Sequence, residues 1–427
     1  MARVLARGNC AIARPSILSV KFRQRRPAAN QDNSVGLTAC RSMCLFEHMF
    51  LRLMHQNLSC RHGVSSLLIG SLLWVSAAPP ARHAGELSIE RMFGPEVKTG
   101  PYKHPARIEE LSNGDLYAVY YGGEGEYATD TGVFGSRLKK DSRHWTTPAR
   151  IAHDPFRSLG NGVVWQAPDG LVWLFYVARY GETWSTSRVQ AKVSRDNAAT
   201  WSDAFPLVSE EGMMVCNKPI VLHNGDYLLP LYFETGHNTE FTAPDSSGLF
   251  LHYDAQKKEW KQTGRIHSAT GNIQPVPIEI RENSLIAYCR RGGNFEPTTN
   301  GWLLRAESHD GGWTWSQGVN TRFQNPNAAV DFIKLRSGNL LLVFNDNMNE
   351  RTPLTVALSP DADQTWPWRR NVAEGPYDYA YPMAVQTRDG KIHLIFTSHE
   401  RTIVNHAVLD EEWIKHGGLT RSWLSKQ

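Results

Sequence analysis

The chain contains 427 residues, of which 41% are hydrophobic, 21% charged and 10% aromatic, a composition that excludes a disordered or collagen-like protein. Its formal net charge is +4, but residues 1–78 hold ten Lys and Arg against two acids, so the remainder carries −4. A slightly acidic main body argues against nucleic acid as a partner.

The first 84 residues are typical of a leader and not of a folded domain. Residues 1–42 are rich in arginine, and residues 63–78 form an apolar run that ends in small side chains. This pattern predicts a signal peptide over about residues 54–78, because the run is shorter than the roughly 20 residues that span a membrane. We therefore expect a secreted or periplasmic bacterial protein without stable membrane insertion. Four of the six cysteines lie in this leader, which leaves Cys216 and Cys289 as one disulfide or two buried thiols.

From about residue 86 the chain repeats one unit six times. Each unit contains a turn dipeptide of the kind that favours positive φ, then a strongly apolar strand, and it ends near a tryptophan. The turns are Asn113-Gly114, Asp169-Gly170, Asn224-Gly225, Asn283-Ser284, Ser337-Gly338 and Asp389-Gly390. The tryptophans are Trp145, Trp201, Trp260, Trp315, Trp366 and Trp413.

Repeats of about 50–60 residues with four short strands each are typical of a β-propeller. The sequence therefore predicts an all-β fold, a six-bladed β-propeller of four-stranded antiparallel blades, over residues 85–427. The predicted second strands are continuous apolar runs, so we expect them to be buried on both faces. The ring should close where residues 86–95 pair with the last blade.

Three units carry a sharper motif in the turn before the tryptophan. Residues 194–201, 308–315 and 359–366 each read Ser-x-Asp-x-x-x-Thr-Trp. The aspartate can accept hydrogen bonds from the backbone N–H groups of the turn, while the tryptophan packs between strands. We expect this motif to stabilise the blade and not to touch substrate.

The motif resembles the Asp-box, or BNR repeat, of the sialidase superfamily, and the resemblance covers about residues 95–415. Other stretches resemble bacterial secreted sialidase-like proteins, among them residues 217–220, 325–327, 350–356 and 410–414. The resemblance implies a glycoside hydrolase related to exo-α-sialidases that acts on an acidic oligosaccharide or glycan. It implies no cofactor, and we expect a monomer.

The repeat also indicates where a site lies. The first strand of a propeller blade lines the central channel, and five units begin this strand with a polar or aromatic residue before a proline, which keeps that residue extended. With Asn161 at the sixth place, the predicted ring around the channel consists of His104, Asn161, Lys218, Gln274, Asn325 and Tyr381. The alternative is that these side chains only contact water in the channel.

The resemblance implies roles for several residues. Sialidases hold the sugar carboxylate with three arginines, and Arg290 and Arg351 lie where the second and third are expected. Tyr381 lies at the place of the nucleophilic tyrosine. Asp130 is the candidate acid/base carboxylate, with Glu126 behind it. The remaining substrate-binding candidates are Lys218, Asn161 and Asn325.

Two positions depart from the family pattern. Residues 103–105, Lys-His-Pro, occupy the place of the first arginine, with Arg107 following, and Gln274 replaces the glutamate that activates the tyrosine. Because glutamine cannot take a proton, two other functions stay open. One is a polysaccharide lyase that uses His104 and Tyr381 for β-elimination on uronate-containing glycans, and the other is a carbohydrate-binding propeller without activity. The sequence has no zinc-binding or nucleotide-binding motif, so we expect no metal site.

Overall fold

The computed structural model describes residues 85–239 and 241–422. The predicted leader, residues 1–84, lies outside this part of the chain. The described residues form six β-sheets, one for each repeat found in the sequence. They are arranged as the blades of a propeller, so the prediction of an all-β, six-bladed fold is confirmed.

The first strand, β1 (Gly85–Phe93), belongs to the last blade, and the other blades follow in chain order. Blade one contains β2 (Tyr102–Glu110), β3 (Leu116–Gly123), β4 (Gly132–Leu138) and β5 (Ala149–Ala152). Blade two contains β6 (Leu159–Gln166), β7 (Val172–Arg179), β8 (Ser187–Ser194) and β9 (Phe205–Val208), with a short 3₁₀ turn at Trp184–Thr186. Blade three contains β10 (Met213–Val215), β11 (Ile220–Val221), β12 (Tyr227–Phe233), β13 (Ser247–Asp254) and β14 (Glu259–Gln262).

Blade four contains β15 (Asn272–Arg281), β16 (Ser284–Arg291), β17 (Trp302–Ser308) and β18 (Val319–Gln324). Blade five contains β19 (Asp331–Lys334), β20 (Leu340–Asn345), β21 (Leu354–Ser359) and β22 (Trp368–Ala373). Blade six contains β23 (Tyr379–Gln386), β24 (Ile392–Ser398), β25 (Ile403–Leu409) and β26 (Gly418–Ser422), together with the helix α1 (Glu411–His416). No helix in the described ranges is long and apolar enough to cross a membrane.

Two blades depart from the four-stranded pattern. In blade three the inner strand is divided, because β10 and β11 both pair with β12 and residues 216–219 lie between them. In blade six β1 lies between two C-terminal strands, with Leu87 opposite Leu409 of antiparallel β25 and opposite Thr420 of parallel β26. The predicted closure of the ring by the N-terminal strand is therefore confirmed.

The hydrophobic core is divided among the blade interfaces. Six clusters of buried apolar side chains lie one between each pair of neighbouring blades. The second strands supply many of these side chains from both faces, and all eight residues of β3 are buried. Cys216 and Cys289 are buried free thiols, so the alternative of a disulfide between them is wrong.

The three Asp-box turns have the geometry expected from the sequence. In the second box, Asp310 Oδ1 accepts from Thr314 N at 2.9 Å and Asp310 Oδ2 accepts from the Thr314 hydroxyl at 2.6 Å. The tryptophan that follows, Trp315, stacks on Phe250 of the neighbouring blade with ring centroids 4.6 Å apart. The Asp-box therefore fixes the outer turn of blade four against the hydrophobic core between blades three and four.

Candidate functional site

Four inner strands carry a bulge at the same end of the channel. The pairing register shifts after His104 in β2, Gly160 in β6, Ile273 in β15 and Ala380 in β23. Three bulge residues lie in the left-handed region of backbone conformation, Asn161 at φ 49°, Gln274 at φ 55° and Tyr381 at φ 52°, so the expectation that the following proline keeps Gln274 and Tyr381 extended is wrong. Residues other than glycine rarely adopt this region, and strained bulges of this kind cluster at functional sites.

The bulge residues line one pocket at the end of the channel. His104, Asn161, Gln274 and Tyr381 form its floor, and the ends of the second strands and the loops after them form much of its wall. The charged wall residues are Glu126, Glu234, Arg290, Arg351 and Arg401. The aromatic wall residues are Tyr121, Tyr127, Trp184, Tyr232, Phe241 and Phe295.

The phenol of Tyr381 lies at the centre of this arrangement. Arg290 Nη1 donates to the Tyr381 oxygen at 2.7 Å, and Gln274 Nε2 donates to the same oxygen at 3.4 Å. His104 meets the Tyr381 ring edge-on, with ring centroids 4.2 Å apart. Donors that point at the phenol oxygen stabilise negative charge on it, so the site is built around this atom.

Three arginines converge on the pocket without enough acids to neutralise them. Asn327 orients two of them: its side-chain oxygen accepts from Arg290 Nε at 2.7 Å, and its backbone oxygen accepts from Arg351 Nη2 at 3.2 Å. Neither Arg290 nor Arg351 forms an ion pair with a described residue. Two buried donors, Arg351 Nη1 and Arg401 Nε, have no hydrogen-bond partner in the described ranges. Burial and the charges of Arg401 and Arg290 lower the pKa of Arg351 to about 10. An anion in the pocket would relieve both the unpaired donors and the repulsion.

The two wall carboxylates have different surroundings. Glu126 accepts a hydrogen bond from the Tyr102 hydroxyl at 2.9 Å and forms an ion pair with Arg401 at 3.2 Å. The Glu234 carboxylate forms no hydrogen bond or ion pair with any residue in the described part of the chain. Burial raises the pKa of Glu234 to about 7, against the opposing charge of Arg290 and with a smaller contribution from Glu126.

His104 is held as a neutral imidazole. Its Nδ1 shares a hydrogen bond with the Thr397 hydroxyl at 2.8 Å, and the side chain is almost completely buried. Burial first, and then the positive charges of Arg401 and Arg351, keep the pKa of His104 well below its usual value. A lowered pKa makes this imidazole a weaker base than a free histidine.

Seven of the residues singled out from the sequence line the same pocket: His104, Glu126, Asn161, Gln274, Arg290, Arg351 and Tyr381. Lys218, Asn325 and Asp130 lie elsewhere, so the predicted ring of six loses Lys218 and Asn325.

Lys218 forms an ion pair with Glu109 at 3.0 Å and does not line the pocket, because it lies in the break between β10 and β11. Asn325 is buried and donates to the Ala328 oxygen at 2.9 Å; the inner strand of blade five begins only at Asp331, so Asn325 precedes it by a loop. Asp130 is exposed and accepts from the Glu124 backbone N–H at 3.2 Å, whereas Glu126 of the same loop faces the pocket.

Arg107 lies beneath the pocket and not in it. Its guanidinium is fully buried and donates to the backbone oxygen of Cys216 at 2.7 Å, to the Cys216 sulfur at 2.7 Å and to the backbone oxygen of Tyr381 at 3.2 Å. These contacts join blades one, three and six across the channel. The third arginine of the pocket is therefore Arg401, from the loop after β24.

Arg401 and Glu234 were missed in the sequence, although a signal for both exists. Glu234 directly follows the second strand of its blade and Arg401 lies three residues after the end of its own, while Arg290 is the penultimate residue of β16 and Arg351 lies in the loop after β20. A search for charged residues near the end of the second strand in all six repeats would have included both. Within the described ranges, no group of three or more His, Cys, Asp or Glu side chains could hold a metal ion.

Comparisons with known proteins bear on the family and the fold of this chain. Residues 114–394 match the family model of the BNR repeat-like domain. No curated protein matches the sequence. The fold is similar to that of the Hadza microbial sialidase Hz136, with a TM-score of 0.65 and 14% identity over 76% of this chain and 69% of that one.

Two further solved structures share the fold. The NanB sialidase from Streptococcus pneumoniae has a TM-score of 0.62 and 11% identity over 76% of this chain and 71% of that one. The α-L-arabinanase from Penicillium chrysogenum, solved with arabinobiose, has a TM-score of 0.53 and 15% identity over 79% of this chain and 99% of that one. The family match spans most of the propeller, and the chain belongs to the BNR repeat-like domain family, within the Asp-box β-propeller superfamily that includes the sialidases.

Proposed function

We propose that this protein is a glycoside hydrolase that removes an acidic sugar from a glycan. The observation that carries the proposal is the set of unsatisfied arginine donors in the pocket, Arg351 Nη1 and Arg401 Nε, beside Arg290. Guanidinium groups bind carboxylates through paired, charge-assisted hydrogen bonds. A sugar carboxylate between these three side chains would supply the partners that the protein itself does not.

The position of Tyr381 indicates which part of the sugar carries the carboxylate. The Tyr381 phenol oxygen is 2.7 Å from Arg290 Nη1, so a carboxylate oxygen bound by the same guanidinium lies within about 5 Å of the phenol oxygen. The anomeric carbon then lies over Tyr381 when the carboxylate is attached to that same carbon. This favours a 2-ulosonic acid, the class to which sialic acids belong, over a uronic acid with its carboxylate on the far side of the ring.

The surroundings of His104 favour hydrolysis over β-elimination. Elimination needs a base strong enough to take a proton from carbon. The pKa of His104 is lowered by burial, and its Nδ1 is already bonded to Thr397. Elimination on a uronate and binding without reaction are therefore outcomes of the test and not the proposal. Export through the predicted signal peptide stays a prediction.

The test uses aryl glycosides of three acidic sugars, N-acetylneuraminic, glucuronic and galacturonic acid, with the neutral β-galactoside as a control. We expect aryl release from the N-acetylneuraminic acid glycoside alone, and Tyr381→Phe should reduce it strongly. The matched control is Tyr377→Phe, a partly exposed tyrosine outside the pocket lining. An unsaturated product from a uronate polymer would replace the proposal with elimination, and saturable binding without release would replace it with a binding protein.

A further inference from the structure

We infer that the protein binds a neutral sugar at a second site, on the face of the propeller opposite the pocket around Tyr381. The inference goes beyond the proposed function and does not depend on it, because the linings of the two sites share no residue in the described ranges. The second site, the far-face pocket, is a cavity of about 290 Å³ between blades three and four. Its lining includes Asp226, His252, Glu279, Glu282, Asp310 and Trp313.

The direction of the strands separates the far-face pocket from the pocket around Tyr381. Asp226 lies directly before β12 and lines the far-face pocket, whereas Glu234 lies directly after β12 and lines the pocket around Tyr381. In blade four, Glu282 before β16 and Arg290 near its end are divided in the same way. A strand of seven residues is about 20 Å long, so one sugar ring cannot occupy both sites.

Trp313 gives the far-face pocket an aromatic surface that the Asp-box turn does not require. In all three boxes the aspartate accepts from the backbone N–H of the threonine at 2.8–2.9 Å. The residue before that threonine is Ala199 in the first box and Gln364 in the third, so the same turn forms without an aromatic side chain. Trp313 is 39% exposed, and its indole stacks on His252 with ring centroids 4.4 Å apart and an interplanar angle of 20°. An exposed ring in a fixed orientation is suited to pack on the C–H face of a sugar.

His252 is a buried polar side chain without a full set of hydrogen bonds. It is 4% exposed and lines the far-face pocket, and its Nδ1 has no partner in the part of the chain that the structure describes. Its Nε2 is 3.7 Å from Asp226 Oδ2, beyond hydrogen-bond distance. Burial lowers the pKa of His252 against the charges of Asp226 and Asp254, so the imidazole is neutral at pH 7, with one donor and one acceptor. A sugar hydroxyl can donate or accept, and would satisfy the nitrogen that the protein leaves unpaired.

The charges of the lining select a ligand without negative charge. Five carboxylates and two lysines line the far-face pocket, and Lys257 is already paired with Asp254 at 2.5 Å. The excess of carboxylates repels an acidic sugar, in contrast to the arginines around Tyr381.

The same lining favours a sugar over a small cation. Asp226 accepts one hydrogen bond from Asn224 Nδ2 at 2.8 Å and one from the Ala255 backbone N–H at 2.9 Å, and a carboxylate has about four lone pairs. The free lone pairs can accept charge-assisted hydrogen bonds from hydroxyl groups. A small cation would leave the Trp313 indole uncovered, whereas a neutral pyranose has an apolar face for the indole and hydroxyl groups for the carboxylates.

A ligand in the far-face pocket leaves the pocket around Tyr381 open, so both sites can be occupied together. Binding of a neutral sugar of a glycan on the far face would raise the local concentration of that glycan around the protein. We therefore assign the far-face pocket to attachment and not to catalysis.

The test measures binding of methyl glycosides to the full chain by saturation-transfer NMR. The neutral probes are the methyl pyranosides of galactose, glucose and mannose, and the charged probes are methyl glucuronide and methyl glucosaminide. We expect saturable binding of at least one neutral probe, no binding of the glucuronide and no displacement by excess N-acetylneuraminic acid. Displacement, equal binding of the glucuronide or no binding of any neutral probe would overturn the inference, and tighter binding of the glucosaminide would overturn it in favour of a cation site. Because the readout is binding and not cleavage, a failure to release aryl groups would refute the proposed function alone.

Two substitutions identify the site. Trp313→Ala should weaken binding of the neutral probe by about tenfold or more, because the stacking surface is lost. His252→Phe keeps an aromatic ring against Trp313 and removes the ring nitrogens, so binding should weaken by about 2- to 13-fold, the range for one hydrogen bond. The matched control is Phe156→Ala, which removes an 84% exposed aromatic side chain outside both pockets and should leave binding unchanged.

Unchanged affinity in both variants, or an equal loss in the control, would overturn the inference. If Trp313→Ala fails to fold, His252→Phe decides, because it removes an unpaired buried polar group and should not lower the Tm.

Discussion

Replacement of Arg351 by methionine should weaken ligand binding and leave the fold as stable as before, or more stable. Arg351 makes one hydrogen bond to the protein, from Nη2 to the Asn327 oxygen at 3.2 Å, and its Nη1 is a buried donor without a partner in the described ranges. A charge-assisted hydrogen bond contributes about 1.5–3 kcal/mol. At about 1.36 kcal/mol for each factor of ten, its loss should weaken binding of N-acetylneuraminic acid by about 13- to 160-fold.

The free energy of unfolding of the unliganded protein should stay the same or increase on replacement of Arg351 by methionine. Burial and the charges of Arg401 and Arg290 lower the pKa of Arg351 to about 10. The charged form of Arg351 is therefore destabilised in the unliganded fold by up to about 3 kcal/mol. Methionine replaces the aliphatic stem of arginine without its charge, and replacement of a poorly compensated buried charge by an apolar side chain is often neutral or stabilising. We therefore expect an unchanged or higher Tm without ligand.

Titration calorimetry and thermal unfolding of the same samples would measure both effects. Arg369→Met is the matched control, because Arg369 lies in the same blade but pairs with Asp346 at 2.8 Å outside the pocket. It should leave binding of the acidic sugar unchanged. If Arg351→Met lowered the Tm by several degrees and left binding unchanged, Arg351 would be a structural residue and the carboxylate site would be refuted.

Three further predictions concern the fold. Trp315→Ala should lower the free energy of unfolding in a denaturant titration by less than the about 3–5 kcal/mol lost with a fully buried aromatic side chain, because the partly buried ring stacks on Phe250; affinity for the acidic sugar should not change, and lost affinity at unchanged stability would contradict this. Removal of residues 1–84 should leave a folded, soluble domain in circular dichroism, whereas removal through the end of β1 should not; an insoluble product of the shorter truncation would contradict the leader assignment. Burial and the charge of His406 lower the pKa of His393 to about 3. Protons therefore bind preferentially to the unfolded chain. The contribution of neutral His393 to the free energy of unfolding is complete above about pH 6.5, and it falls by up to about 1.4 kcal/mol per pH unit toward pH 3. His393→Phe should flatten the measured acid slope, and an identical slope would refute the assignment.

The blades could be predicted from the sequence because each depends on local signals. The turn dipeptides, the apolar second strands and the Asp-box tryptophans recur at nearly equal spacing, and each reports on residues close to it in the chain. Three residues of the pocket floor could also be predicted from this spacing, because His104, Gln274 and Tyr381 occupy equivalent positions in their repeats.

The residues that were placed wrongly lie where one repeat departs from the others. Lys218 lies at a break in the inner strand of blade three, and Asn325 lies six residues before the inner strand of blade five begins. Neither irregularity changes the apolar pattern, so periodicity could not reveal it. The choice between Asp130 and Glu126 depended on the conformation of one loop, which hydrogen bonds to distant residues such as Tyr102 and Arg401 determine.

The position of β1 between β25 and β26 determines when the molecule can finish folding. The first strand of the domain must wait for partners that are more than 300 residues away in the chain, Leu409 and Thr420 opposite Leu87. A contact of such long sequence separation forms late, because closing so large a loop has a high entropic cost. Until the last strands leave the ribosome, the edges of β1 and the apolar side chains of the first and last blades stay uncovered. Ring closure therefore depends on the last described strands, and a chain that ends before β25 should be exposed to proteases and aggregation even though five complete blades precede the break.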